Sequence, residues 1–361
     1  MTTLTSPTIS SALHVRRLPA WGVAVTAAVG VALSVALFSV LGLLGGGPVL
    51  TAVGAVVLFL VGLSVVSTVV EGGRAARNRV ATTLVYSAFV LALLPLVSVV
   101  ATLFGKGTSR LDADFFNHSM RNITSLDANG GAYHAIIGTL EQVAIATLLT
   151  VPLGILGAMY IVEYGRGRLA AAIRFFVDVM TGIPSVVAGL FILAFWVLIV
   201  SPHLSPNGRP FYSGLAAALA LSVLMLPTVT RSTEEMLRLV PAALREGSYA
   251  LGVPKWKTIL RIVLPTALPG IVTGVMLAVA RAAGETAPVL LVALGSPRIN
   301  FDPFHAPQES LSIYIYDQAT SASRYAPARA WTAALTLVAL VLTLTVAAKL
   351  LSRRNTLNKG K

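Results

Sequence analysis

Two charges stand inside an otherwise apolar stretch, "GIVTGVMLAVARAAGETAP", at Arg281 and Glu285. Ionisable groups within membrane-length apolar segments are costly, and they face protein or a water-filled path rather than lipid. A guanidinium stays ionised and offers a planar fork of donors, which suits a tetrahedral oxyanion. A carboxylate four residues on can balance that charge when no anion is held. Gly270, Gly274, Ala278 and Ala282 recur every fourth residue in the same stretch, a seam that lets helices approach closely. On one continuous helix, Arg281 falls about 20° and Glu285 about 60° from Gly270, which places both charges within the seam. The alternative is a structural ion pair sealing a helix interface. Arg before Glu is the weaker orientation at i,i+4, so helix stabilisation is a poor motive. Arg231, at the inner end of another apolar span, is a second candidate anion contact, its alternatives being an inner-side topology charge or a pair with Glu235. Glu141 reads either as paired or as lying near a membrane interface.

The elements that must position these groups are membrane helices. Of 361 residues, 56% are hydrophobic and only 11% charged, where soluble chains carry about a quarter charged. Apolar runs reach the roughly 20 residues that cross a bilayer core. We read spans near 21–44, 49–70, 80–104, 134–163, 184–201, 214–230, 269–294 and 331–351, an all-α polytopic bundle. The first span is too long, and too weakly followed by a cleavage pattern, for a removed signal peptide.

Charge orients the spans. With the N-terminus inside, the inner segments hold Arg16 and Arg17, then Arg74, Arg77 and Arg79, then Arg166, Arg168 and Arg174. They also hold Arg231, Arg238, Arg245, Lys255, Lys257, Arg261, and five Lys or Arg from Lys349 to Lys361. The outer segments hold Lys106, Arg110, Arg121, Arg209, Arg298, Arg324 and Arg329. That bias puts both termini in the cytoplasm. The net charge of +13 therefore belongs to topology and not to a nucleic-acid face. There are no cysteines, and His14, His118, His134, His203 and His305 make no metal spacing.

The organisation is a polar, disordered N-terminus at 1–20 and an extra two-helix hairpin at 21–70, turned by "GGGP" at Gly45–Pro48. A core follows at 80–351, with an inner loop at 231–268 and a cytoplasmic tail at 352–361. The outer segment 105–133 reads as loop, and "SLSIYIYDQATS" at 310–321 lies at the membrane surface or packs on the helices. In the inner loop, Ser232 and Glu235 have capping-box spacing, Pro241 suits a first helical turn and Gly252 a C-terminal stop. Pro254 opens a second short element that ends before Pro265. Small residues at Gly247, Ser248 and Ala250 make this loop a knob for another protein's groove, or else it is a solvated basic loop.

This loop resembles the signature of ABC-importer permeases, which reads Glu-Ala-Ala, three residues, Gly, nine residues, Ile, one residue, Leu-Pro. Here Glu246, Gly252, Ile262, Leu264 and Pro265 keep that spacing, while Gly247 and Ser248 replace the alanines. With "EYGRG" (163–167), "GIPSVVAGLF" (182–191), "TRSTEEMLRLVP" (230–241) and "ARAAGETAPVLL" (280–291), the chain resembles phosphate-specific permeases of the PstA type. The resemblance is dense over 134–294 and looser from 80 to 351; the hairpin at 21–70 departs from a six-span plan. It implies a type I importer permease core and a phosphate path through Arg281, Glu285, Thr286 and Arg231. Glu285 would accept from a proton-bearing phosphate oxygen, a bond that unprotonated sulfate cannot donate. It also implies an ATPase-docking loop carried by Glu246, Gly247, Ser248, Gly252, Pro254, Lys255, Leu264 and Pro265. The implied partners are a second permease of the PstC type, an ATPase dimer binding ATP and Mg, an extracellular phosphate-binding protein, and lipid. No cofactor is expected in this chain and it is not expected to be an enzyme. The alternatives are a permease for sulfate or molybdate, an ion-coupled secondary carrier, for which no repeated halves are evident, and an intramembrane enzyme, for which no nucleophile–base pair or metal motif is found.

Overall fold

The computed structural model describes residues 18–42, 47–165 and 167–357, without side-chain detail at 20, 48, 49 and 351–357. Of the expected disordered terminus 1–20, residues 1–17 lie outside the described residues, as do Gly45 and Gly46 of the "GGGP" turn and Arg166, whereas Leu18 is buried with its N–H bonded to Glu71 and α1 begins at Ala20. The helices are α1 (Ala20–Ser34), α2 (Pro48–Glu71), α3 (Gly73–Gly107), α4 (Ala113–Asn117), α5 (Tyr133–Glu163), α6 (Arg168–Thr181), α7 (Ser185–Ile192) and α8 (Ser201–Leu204). They continue as α9 (Gly214–Arg238), α10 (Ala242–Ala250), α11 (Lys255–Thr258), α12 (Leu264–Ala283), α13 (Ala287–Ala293), α14 (Leu311–Thr320) and α15 (Ala326–Leu357). Among the described residues there is no strand, only one isolated bridge between Leu294 and Gln308. Eight helical segments are long and apolar enough to cross a membrane, and the chain is a multi-pass membrane protein.

The chain divides into two compact units, Met1–Val100 and Ala101–Lys361, so the boundary falls inside α3. In the first, α1 and α2 form a hairpin packed through small residues. A Cβ on Gly30 would stand 2.9 Å from the Phe59 backbone nitrogen, and one on Gly54 2.3 Å from the Phe38 ring. Glu71 knots the ends together: it accepts from Leu18 N (2.5 Å), Ser67 Oγ (2.7 Å) and both Arg79 Nε and Nη2 (2.9 and 2.5 Å).

The second unit is built around α9. Its most apolar window is 61% buried, against 28% in α5 and 6% in α15, and it reaches that burial through alanines at 216, 217, 218 and 220. Small side chains let α5 and α12 close on it. A Cβ at Gly154 of α5 would meet Val229 at 2.7 Å, and Cβ atoms at Gly270 and Gly274 of α12 would meet Met236 and Ser232 at 2.1 and 2.3 Å. Large apolar residues such as Leu148 and Leu277 remain exposed on the outside, as a bilayer permits.

Several elements differ from the sequence reading. α9 runs on to Arg238, so Ser232 and Glu235 lie inside a helix and form no cap. Pro265 ends nothing: Lys255 to Ala283 is continuous, with a π-helical stretch at Ile259–Val263, closed by Leu264 N donating to the Ile259 carbonyl, immediately before the proline. The inner loop is thus about 239–254, shorter than 231–268. The span expected at 269–294 stops at Ala283, breaks at Gly284–Thr286 and restarts with Pro288 in the first turn of α13. The segment 105–133 is not all loop, since α3 reaches Gly107 and α4 is capped by Asp112, which accepts from Phe115 N at 2.8 Å. The stretch at 310–321 forms α14, with Leu311, Ile313 and Tyr314 buried against the helices.

Candidate functional site

Arg281 ends α12, where its side chain is 64% exposed and its Nε lies 3.4 Å from Glu285 Oε1. It lines an open cavity of about 290 Å³. Arg231 of α9 lines the same cavity, with the hydroxyls of Thr181, Thr228 and Ser232 and the carboxylate of Glu235. Residues 50 positions apart in sequence are thus brought together by the close packing of α12 on α9. Arg281 does not enter the small-residue seam itself: Ala278 and Ala282 are buried, while Arg281 projects beside them. Glu285 and Thr286 do not line this cavity. The helix stops before them, so the 100° projection fails at Gly284. The Glu285 carbonyl instead accepts from Ser312 Oγ at 2.9 Å, which ties the break to α14, and the Thr286 carbonyl accepts from Leu290 N at 2.9 Å at the start of α13.

Arg231 pairs with Asp178 of α6 and stands 3.8 Å from Glu234; Glu235 is not its partner. Glu234 is buried and gathers three arginines, Arg174 and Arg231 at 3.8 Å and Arg238 at 2.5 Å. The cavity therefore presents two guanidinium groups and the Thr228 hydroxyl beside one acceptor carboxylate, while the Thr181 and Ser232 hydroxyls donate to the carbonyls of Val177 (2.8 Å) and Val229 (3.2 Å). That donor excess is suited to an anion.

The inner loop is fastened to the end of α5. Arg245 Nε and Nη2 donate to Glu163 Oε1 at 3.1 and 2.9 Å, and the same guanidinium reaches the carbonyls of Val240 (2.7 Å) and Leu237 (2.9 Å). Lys255 donates to the Glu163 carbonyl and lies 4.5 Å over the Tyr164 ring. Ser248 and Thr258 share a hydroxyl bond of 2.8 Å that joins α10 to α11. Between them Gly252 takes φ +73°, where an L side chain is strained. Pro254 starts α11, and Leu264 and Pro265 lie in the continuous helix that leads to Arg281. Glu246, Gly247, Tyr249, Leu251 and Trp256 are exposed, a mixed polar and apolar face.

The sequence pattern of the binding-protein-dependent transport system inner membrane component matches residues 150–357. The phosphate transport system permease protein PstA 1 of Mycobacterium tuberculosis is 46% identical over 279 residues, 77% of this chain and 89% of that protein. PstA of Pasteurella multocida is 37% identical over 77% of this chain and 95% of its own. The chain belongs to the PstA family of permeases. A bacterial alginate ABC transporter in complex with its pentasaccharide-bound periplasmic protein has a similar fold, with TM-score 0.54 and 18% identity over 78% of this chain and 96% of that one.

Within this PstA-family chain, several partners of the site were not read from sequence. Asp178 is a single acid in a segment read only as a basic inner stretch, and its partner lies 53 residues away. Glu234 was hidden behind Glu235 by the capping-box reading, although Arg231, Glu234 and Arg238 have the i, i+3 and i, i+4 spacings of helical ion pairs. Glu141 has a partner: its Oε2 accepts from Gln308 Nε2 at 2.5 Å, across 167 residues.

Proposed function

We propose that the chain is the membrane permease subunit of an ATP-driven importer of inorganic phosphate. The observation that carries this reading is the cavity shared by the guanidinium groups of Arg231 and Arg281. Phosphate passes between donors that move with α9 and α12, and those two helices flank the inner loop. The exposed face around Glu246, Gly247 and Leu251 docks a separate ATPase dimer, which supplies ATP and Mg. Arg245 and Lys255 carry the resulting movement to α5. A second permease of the PstC type completes the path, and an extracellular binding protein delivers the anion. Both termini face the cytoplasm, in keeping with the Lys and Arg bias of the inner segments.

The runner-up substrate is another oxyanion. Glu235 favours phosphate: a carboxylate on the cavity wall accepts a hydrogen bond from a protonated phosphate oxygen and repels unprotonated sulfate. This role moves from Glu285, where the sequence placed it, to Glu235. The test is uptake of phosphate and sulfate by Glu235→Gln in the assembled transporter, normalised to membrane content. Weakened preference for phosphate supports the reading; unchanged preference removes Glu235 from selection.

A further inference from the structure

α5 is 31 residues long, about 45 Å at 1.5 Å per residue, so its two ends serve different places in this unit. Glu163 at one end belongs to the inner-loop clasp. His134, at the other, faces a separate cavity of about 250 Å³. The mouth of this cavity is formed by the exposed residues Leu294, Pro297 and Asp317, and its floor by His134, Glu309 and Tyr314. The floor residues are 2%, 5% and 2% exposed. Each nevertheless has one polar atom with no hydrogen-bond partner: His134 Nδ1, Glu309 Oε1 and the Tyr314 hydroxyl. These are three of the six such buried side-chain atoms among the described residues, gathered in one place. Buried polar groups are ordinarily paired, because burial without a partner forfeits the hydrogen bonds they make to water.

Glu309 is not unpaired through looseness. Its Oε2 accepts from Ser296 N at 2.9 Å and its carbonyl accepts from Gln142 Nε2 at 3.4 Å. The turn that covers it has φ near +60° at Leu294 and Gly295, and a Cβ at Gly295 would stand 2.9 Å from that Oε2. On the other side Gly138 passes so close that a Cβ there would meet the Glu309 carbonyl at 1.9 Å. The backbone is clamped and Oε1 alone is left over.

The lining contains two carboxylates, Glu309 and Asp317, and neither Lys nor Arg. Among the described residues neither carboxylate has an ion-pair partner, and no trio of His, Asp and Glu is placed to hold a metal ion. Gln318 has its oxygen already occupied by Arg329 Nε at 2.8 Å, and Arg329 directs its Nη1 to the carbonyls of Asp127 and Asn129 and not into the cavity. We infer that this cavity binds a small organic cation with N–H donors, an ammonium or guanidinium head group. Glu309 and Asp317 are its counter-charges, and His134 and Tyr314 accept its remaining hydrogen bonds.

The site carries its own pH signature. Burial and then the nearby Asp317 charge push the Glu309 carboxyl up to about 8, and burial raises Asp317 as well. The groups facing Glu309 are Asp317 and Tyr314 from α14 and His134 from α5; behind the floor the charges of Arg329 of α15 and of Arg110 act on Tyr314, with Arg329 bonded to Gln318. Below about pH 8 a proton occupies Glu309, so a cation has to displace it. Affinity then rises up to about tenfold per pH unit towards that value and levels above it.

The test is calorimetric titration of the full chain in nanodiscs with methylammonium, at about pH 6 and about pH 8.5 to bracket the Glu309 titration. Choline, which has no N–H donor, is the control. Saturable methylammonium binding that strengthens at the higher pH is expected, with none for choline. Glu309→Gln should weaken binding about tenfold or more and flatten its pH dependence. Should that variant fold poorly, Asp317→Asn at the exposed mouth should weaken binding as well. No methylammonium binding at either pH, binding that both variants leave intact, or equal binding of choline, sodium or calcium overturns the inference. The head group comes either from a free amine or from a side chain of a docked protein. Methylammonium that reduces capture of the extracellular binding protein by the assembled transporter assigns the docked side chain, and undiminished capture assigns the free amine. The calorimetric arm involves no phosphate, so it stands or falls apart from the proposed substrate.

Discussion

Arg245 and Arg281 lie at opposite ends of the same stretch of α10, α11 and α12, yet their surroundings could hardly differ more. Arg245 is 18% exposed and directs its donors to the Glu163 carboxylate and two backbone carbonyls. Arg281 is 64% exposed and among the described residues makes one polar contact, at 3.4 Å, leaving most of its fork open to a cavity. A guanidinium whose donors are all occupied within the fold is a rivet; one left with open donors beside a cavity is available to a ligand. Arg231 lies between these extremes, half exposed and paired on one side with Asp178.

The largest effect should come from breaking the rivet. Arg245→Ala leaves Glu163, whose side chain is 5% exposed, without its charged partner, at a cost of about 3–5 kcal/mol. The amount of monodisperse protein extracted from membranes should fall steeply. Unchanged yield and stability of the variant would show that Arg245 is no rivet and dissolve the contrast. Arg281→Lys should do the reverse. Folded protein stays the same, while normalised uptake drops by about 10–100-fold, the worth of one or two lost hydrogen bonds to a charged ligand.

Gly252→Asp tests the loop between the two arginines. Nothing lies within 4 Å of a Cβ there, so the penalty is the φ of +73°, about 1–2 kcal/mol, together with a charge placed on the face proposed to dock the ATPase. Insertion should persist while uptake and co-purification of the ATPase fall; retention of both would remove Gly252 from docking. A milder effect is expected from pH. With its folded carboxyl raised to about 8, Glu309 withdraws stability as pH climbs from the ordinary carboxylate range towards that value. The apparent melting temperature should decline by a few degrees over that window, and Glu309→Gln should flatten the curve. The smallest effect is expected from deleting residues before Gly73. α1 and α2 contain no ionisable residue before Glu71, which is occupied with Leu18, Ser67 and Arg79. Transport per inserted molecule should be unchanged, and its complete loss would bring the hairpin into the mechanism.

What could be read from sequence was what is local. Spans follow from runs of apolar residues, and the inner loop follows from the fixed spacing of Glu246, Gly252, Leu264 and Pro265. Reading failed where the backbone departs from a regular helix or where contacts cross the chain. Pro265 reads as a stop, yet the helix runs through it, just past a π-helical stretch. Gly284 and Pro288 interrupt a segment whose composition stays apolar, so Glu285 was projected onto a helix that had already ended. Arg329, read as an outer-loop charge, is 2% exposed and bonded to Gln318 and to the carbonyls of Asp127 and Asn129, about 200 residues away. No period or motif announces such a contact.

The central claim is that Arg231 and Arg281 hold the same anion. A double-mutant cycle tests it most directly: phosphate uptake of Arg231→Lys, Arg281→Lys and the double variant in the assembled transporter, each normalised to protein in the membrane. Two arginines on one anion should be coupled, with the double variant departing from the product of the single effects by about 0.5–3 kcal/mol. Effects that simply multiply, or single variants that transport normally, would contradict a shared phosphate site.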